Sequence, residues 1–261
     1  MHLLFIGDVV GKPGRRALRK TLPQLLAEHA IDLAIANGEN AAGGFGITRE
    51  IKNELLGMGF DLITSGNHVW AQKGFVGGMD AERAFLRPAN YPPGTPGVGA
   101  RTVTARNGVE VGVINVMGRV FMQPIDDPFR VADREIDRLR DKAQVLFVDM
   151  HAEATSEKVA IAHYLDGRIT ACCGSHTHVQ TADERILPGG TAYITDAGMS
   201  GSLDSVIGME KAPAIERFLT GRPVRFKPEE KGRMQVNGVV IDADESTGLA
   251  RAIERIHLVV D

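Results

Sequence analysis

Five short apolar runs each end in side chains that bind metal ions, and this restricts the fold more than any other feature. Residues 3–6 lead to Gly7-Asp8, 31–36 to Asn37-Gly38-Glu39-Asn40, and 60–64 to Ser65-Gly66-Asn67-His68. Residues 144–149 lead to His151, and 169–173 to Gly174-Ser175-His176-Thr177-His178. Helical segments over 14–29 and 49–56 separate the first three runs. Thr48 is placed to cap the second segment, and Pro23 is expected to bend the first. This alternation predicts a parallel sheet with helices on its faces. Ligands of such sheets bind at the carboxyl ends of the strands, so residues far apart in sequence converge there.

The remaining chain is less regular. Residues 87–99 hold four prolines and three glycines and read as a loop. Segments 101–105 and 109–116 flank Asn107-Gly108, a hairpin signal, and are expected to add antiparallel strands to the parallel sheet. Segments 127–140 and 156–165 read as helices. Segments 185–187 and 191–195 flank a Pro-Gly-Gly turn, and 234–241 with 250–260 form a last hairpin. No repeat or linker interrupts the chain, and residues 1–261 are expected to form a single domain.

Asp8, Glu39, Asn40, Asn67, His68, His151, His176 and His178 therefore gather in one cleft. Oxygen and imidazole donors without thiolate suit manganese, iron or zinc. Two adjacent ions need about seven protein ligands with one bridging carboxylate, which leaves one histidine over. The histidines of His176-x-His178 alternate at a strand end and are expected to share a face.

Thirty lysines and arginines stand against 33 acids, a net charge of −3. This disfavours a nucleic-acid coat or a polybasic membrane binder. No apolar run reaches the ~18 residues of a membrane span, and the first residues read as a strand and not as a signal peptide. The two cysteines, Cys172 and Cys173, are neighbours. They cannot join distant segments, so a reducing, cytoplasmic setting is expected. They are expected to be buried and neither metal ligands nor a disulfide. Gly7 to Pro13 lacks the gap and the Ser/Thr of a phosphate-binding loop, and no serine-hydrolase elbow or dinucleotide fingerprint occurs.

The motifs Gly7-Asp8, Gly38-Glu39-Asn40, Gly66-Asn67-His68, His151 and Gly174-Ser175-His176-Thr177-His178 follow the order of the calcineurin-like metallophosphoesterases. The longer strings from Gly7 to Gly14, from Asn37 to Thr48 and from Ser65 to Trp70 resemble the YmdB-type bacterial phosphodiesterase family over nearly the whole chain. The resemblance implies a four-layer α/β/β/α sandwich with mixed sheets, two divalent metal ions per chain, and hydrolysis of cyclic nucleotides, 2',3'-cyclic or 3',5'-cyclic. It implies that Asp8, Glu39, Asn40 and His178 bind one ion and Glu39, Asn67, His151 and His176 the other. A hydroxide shared by the ions would attack, and His68 would protonate the departing alkoxide.

The chain departs from the wider superfamily in three places. Val9-Val10 stand where it carries a histidine, Glu39 replaces a bridging Asp, and Val69 replaces an acid. The oxygen-rich first site leans toward iron or manganese, with zinc still admissible. The implied partner is a small phosphodiester, with no membrane and no strong nucleic-acid signal; the oligomeric state is open, a homo-oligomer included. A phosphomonoesterase or nuclease on the same scaffold, or a nucleotide-binding regulator with little turnover, are the alternatives. Phe45 and Trp70 are candidates to stack on a base, and Lys12, Arg15 and Arg16 to attract phosphate, although a lid, core or solvated face would explain them as well.

Overall fold

The computed structural model describes residues 1–260. Strands β1 (His2–Val9), β2 (Leu33–Asn37) and β3 (Leu62–Thr64) pair in parallel, joined by helices α1 (Gly11–Glu28) and α2 (Arg49–Met58). The side chain of Thr48 accepts a hydrogen bond from the Ile51 amide, and Gly59 ends α2 at a φ of 119°, which only glycine adopts easily. Helix α1 runs through Pro23 unbroken. Pro23 faces solvent, where water can meet the carbonyl deprived of its partner, while Leu18, Leu22 and Leu25 pack on the sheet.

The short helix α3 (Lys73–Val76) precedes β4 (Ala100–Thr104) and β5 (Glu110–Met117), which form the expected hairpin. This hairpin does not extend the first sheet; it opens a second one. Every residue from Val111 to Met117 is buried, so β5 has no polar face to leave in water and must be covered on both sides. Helix α4 (Pro128–Arg140), β6 (Val145–His151), α5 (Thr155–Leu165), β7 (Ala171–Ser175), β8 (Arg185–Ile186) and β9 (Ala192–Ile194) follow. The second sheet has the order β4-β5-β6-β7-β9-β8.

The chain then returns to the first sheet with β10 (Met199–Ser202), helix α6 (Lys211–Thr220), β11 (Met234–Ala243) and β12 (Ala250–Val260). That sheet reads β12-β11-β10-β1-β2-β3. The sequence reading missed β10, whose Met-Ser-Gly-Ser composition has no strand signal; it exists because β1 and β11 pair with it. It also missed α3 and α6.

Period two along the strands sets the layers. On β1, Leu3 and Phe5 face the second sheet and meet Val113, Phe147 and Cys173, with the Phe5 and Phe147 rings 5.0 Å apart. Leu4 and Ile6 face the other way, onto α1 and α2. On β6, Phe147 faces the first sheet, and Leu146 and Val148 face α4 and α5. The result is the expected α/β/β/α sandwich of two mixed sheets. Among the described residues no helix is long and apolar enough to cross a membrane.

Cys172 and Cys173 are free, buried thiols on opposite faces of β7, one in the helix-side core and one between the sheets. Burial pushes the Cys172 thiol up to about 12. Replacing both by Ala is expected to lower unfolding stability by about 1 kcal/mol each, read by urea denaturation, without altering the fold.

Candidate metal centre

The strand ends meet, but from two sheets. Asp8 lies near the end of β1, Glu39 and Asn40 follow β2, and Asn67 and His68 follow β3. His151 is the last residue of β6, and His176 and His178 follow β7. Face-to-face stacking brings both sets of carboxyl ends to one edge of the sandwich.

One cluster is tight. His151 Nε2 lies 3.0 Å from Asn67 Oδ1, 3.1 Å from Glu39 Oε1 and 3.1 Å from His176 Nδ1. Glu39, His151 and His176 form a group able to hold a metal ion. Each of these side chains has its other atoms tied off. Glu39 Oε2 accepts from the His68 amide at 3.0 Å. The second ring nitrogen of His176 faces Glu153 Oε2 at 3.1 Å. His151 Nδ1 lies 2.9 Å from Ser175 Oγ, which donates to Asp149 Oδ1 at 2.7 Å. Such a chain fixes the ring and turns Nε2 into the cleft. Asp149 also accepts from Thr64 and Asn37, and Asn37 accepts from the Glu39 amide.

Glycine makes the closeness feasible. A Cβ on Gly66 would lie 2.2 Å from His151 Nε2 and 2.4 Å from Glu39 Oε2.

The second cluster is looser. His178 Nε2 lies 3.3 Å from Asn40 Oδ1 and 3.8 Å from Asp8 Oδ1. His178 Nδ1 donates to the Ile207 carbonyl at 2.8 Å, and the Asn40 amide nitrogen donates to the Gly44 carbonyl at 2.9 Å, so both aim their acceptor atoms inward. Asp8 Oδ2 accepts from the His176 amide, but Asp8 Oδ1 is buried without a hydrogen-bond partner. A buried carboxylate oxygen left unpaired is costly, and a cation between Asp8, Asn40 and His178 would satisfy it. The donor set therefore fits the metal ions that the sequence implies.

His176 and His178 do not converge by strand alternation. β7 ends at Ser175, and both histidines adopt left-handed backbone, with φ of 101° and 66°. Non-glycine residues hold such angles only where the surroundings fix them. Here the clamp is Asp196. Its Oδ2 accepts from the Thr177 amide at 3.1 Å, the Thr177 hydroxyl at 2.8 Å and Lys158 Nζ at 2.7 Å. Its Oδ1 accepts from the Gly198 amide, and the Gly198 carbonyl accepts in turn from the Asp8 amide.

Sequence reasoning did not single out Asn37, Asp149, Ser175, Lys158 or Asp196 as supports. Asp149 had a signal: it is an acid inside an apolar run, two residues before His151 and so on the same strand face.

Burial raises the Asp8 carboxyl to about 6, against the pull of His178 and His151. Burial also pushes Glu39 up, but His151 and His68 outweigh it and bring the carboxyl to about 2. The same pairing raises His151 to about 9 in spite of its burial. His176 falls to about 3 through burial and the His151 charge. Burial lowers His68 too, with Glu39 opposing.

His68 stands apart from the ligand atoms. Its ring packs edge-on against Phe45, with centroids 5.0 Å apart, and both line a cavity of 460 Å³ over the centre. Trp70 instead packs on Tyr91 and does not line this cavity. Arg15 pairs with Glu54, and Lys12 and Arg16 lie on the exposed face of α1; none of the three lines the cavity.

A family sequence model described as "YmdB-like protein" matches residues 4–256. The chain belongs to the YmdB-like family. A 2',3'-cyclic-nucleotide 2'-phosphodiesterase of Bacillus subtilis (strain 168) is 50% identical over 256 residues, 98% of this chain and 96% of that one. The crystal structure of a hypothetical protein from Thermus thermophilus has a TM-score of 0.93 at 44% identity, covering both chains in full. That of a novel phosphatase from Mycoplasma pneumoniae also has a TM-score of 0.93, at 35% identity over 100% of this chain and 94% of that one.

Lys158 and Asp196 are fully buried. Lys158→Met would strand the Asp196 charge and is expected to cost about 3–5 kcal/mol of unfolding free energy in denaturant titration. Adding Asp196→Asn should recover part of that loss.

Proposed function

We propose that this protein hydrolyses 2',3'-cyclic nucleotides at a centre of two divalent metal ions, iron or manganese by preference. It is a phosphoric diester hydrolase by its kinship with a half-identical phosphodiesterase aligned over nearly its full length. The observation that carries the mechanistic reading is the unpartnered Asp8 Oδ1 beside Asn40 and His178, next to the group of Glu39, His151 and His176, with Asn67 Oδ1 against His151. Asp8, Asn40 and His178 with Glu39 would hold one ion; Glu39, Asn67, His151 and His176 the other. Because these residues come from both sheets, the sandwich works as one catalytic unit.

Bound ions would neutralise the phosphodiester charge and lower the pKa of a water molecule, supplying a nucleophile near neutrality. The chain's own groups supply the rest. Asn67 and Asn40 present neutral oxygens, so the centre keeps a positive excess for an anionic substrate. Ser175 and Asp149 hold the His151 ring, and Glu153 orients His176. His68 lines the same cavity as Glu39, Asn40, His176 and His178 and would protonate the departing ribose oxygen. Burial lowers its pKa, and the negative charge of a bound phosphodiester acts in the opposite sense.

Two measurements test this reading. Purified protein should carry about two transition-metal ions per chain by elemental mass spectrometry, and Glu39→Ala should lose both or nearly so while its circular dichroism stays native. A protein that takes up no transition metal at neutral pH refutes the proposal. His68→Ala should keep its metals and lose ~10²–10⁴-fold in turnover of 2',3'-cyclic nucleotides. The loss should be much smaller for a nitrophenyl phosphodiester, whose leaving group is stable without a proton. Equal losses on both substrates would reassign His68 to phosphoryl binding, and loss of a metal would make it a ligand.

A further inference from the structure

The cavity over the centre has two chemically distinct ends. One holds Glu39, Asn40, His176, His178 and His68, with Glu153 paired to His176 and the Thr177 hydroxyl committed to Asp196. The other is formed by Phe45, Met209, Ala214, Arg217, Phe218 and Phe226. All of these except Phe45 belong to residues 203–233, the excursion between β10 and β11 that contains α6. Phe45 and Phe226 are half-buried and pack with Met209, Met199 and Val10 in a small cluster of their own. The Arg217 guanidinium lies 5.6 Å from the Phe226 ring centroid. The far end thus presents rings, a thioether and one planar cation. It presents no side-chain amide, hydroxyl or carboxylate.

We infer that residues 203–233, together with Phe45, form a subsite that stacks the nucleobase of the substrate without reading its edge. The inference rests on the proposed function. In a nucleoside 2',3'-cyclic phosphate the base leaves the ribose at C1', away from the phosphate. A phosphate held at the polar end therefore sends the base toward the apolar one. Aromatic faces and guanidinium planes stack on any base. Strong discrimination between bases needs hydrogen-bonding groups aimed at their edges, and the apolar end carries none besides Arg217. The subsite selects for the presence of a base and tolerates its identity.

The test compares kcat/KM of the metal-loaded enzyme on the 2',3'-cyclic phosphates of adenosine, guanosine, cytidine and uridine and on methyl ribofuranoside 2',3'-cyclic phosphate, which has no base. Wild type should treat the four nucleotides within about tenfold of one another. Phe226→Ala should lose about 5- to 150-fold more on the nucleotides than on the base-free ester, mainly through KM. Phe226→Leu keeps the apolar bulk, so it folds if packing is the only demand; it should still lose selectivity for a base. Calorimetric affinity for adenosine 3'-monophosphate, which involves no turnover, should fall with it. Equal losses on base-bearing and base-free substrates, or a hundredfold preference of wild type for one base, overturn the subsite and leave the phosphodiesterase standing. Failure of wild type to cleave any of the five overturns both.

Discussion

Four carboxylates, Asp8, Glu39, Asp149 and Asp196, are buried at the meeting of the two sheets, and their compensation governs the local structure. An ionised carboxylate in an apolar interior is unstable unless its oxygens are paired. Asp149 is satisfied by Ser175, Thr64 and Asn37, which come from both sheets. Asp196 is satisfied by Lys158, Thr177 and the Gly198 amide. Glu39 has His151 and the His68 amide. Asp8 alone keeps an oxygen without a partner. The Ser175–Asp149 pair holds the His151 ring, and the Thr177–Asp196 pair holds the turn that carries His176 and His178.

The support is as specific as the donor set itself. The strained His176-Thr177-His178 turn is held from behind through Thr177, the residue between the histidines, while each ring has one nitrogen tied, to Glu153 and to the Ile207 carbonyl. This leaves Nδ1 of His176 and Nε2 of His178 facing the cleft while the backbone is fixed from behind. Gly66 does the complementary work: without a side chain it lets His151 from one sheet and Glu39 from the other approach across it. A single methyl group there would separate the sheets' contributions.

Division of labour follows the topology. The two sheets supply a rigid polar floor, because strand ends are fixed by their ladders. The wall above it comes from the excursion of residues 203–233, where α6 buries only Ala214 and leaves Phe218 84% exposed. On the proposed reading, chemistry would sit on the scaffold and substrate shape on a connection, a common arrangement in α/β enzymes.

Local pattern determined much of this protein. Apolar runs, caps and turn residues specified β1 to β3, the Thr48 cap, the Asn107-Gly108 hairpin and the strand-end positions of Asp8, Glu39, Asn40, Asn67, His68, His151, His176 and His178. Periodicity tells which face of a strand is apolar, but not which other face it will meet. Only the tertiary structure decided that the candidate donors come from two stacked sheets, that the hairpin starts a second sheet, and that β10 forms at all. It also chose Phe45 over Trp70 for the cavity. The supports Asp149, Ser175, Lys158 and Asp196 were illegible for the same reason. Asn37 and Asp149 bond across 112 residues of chain, and Asp8 meets the His176 amide across 168. No local propensity encodes a contact of that separation; it exists only once the two apolar sheet faces have closed on each other.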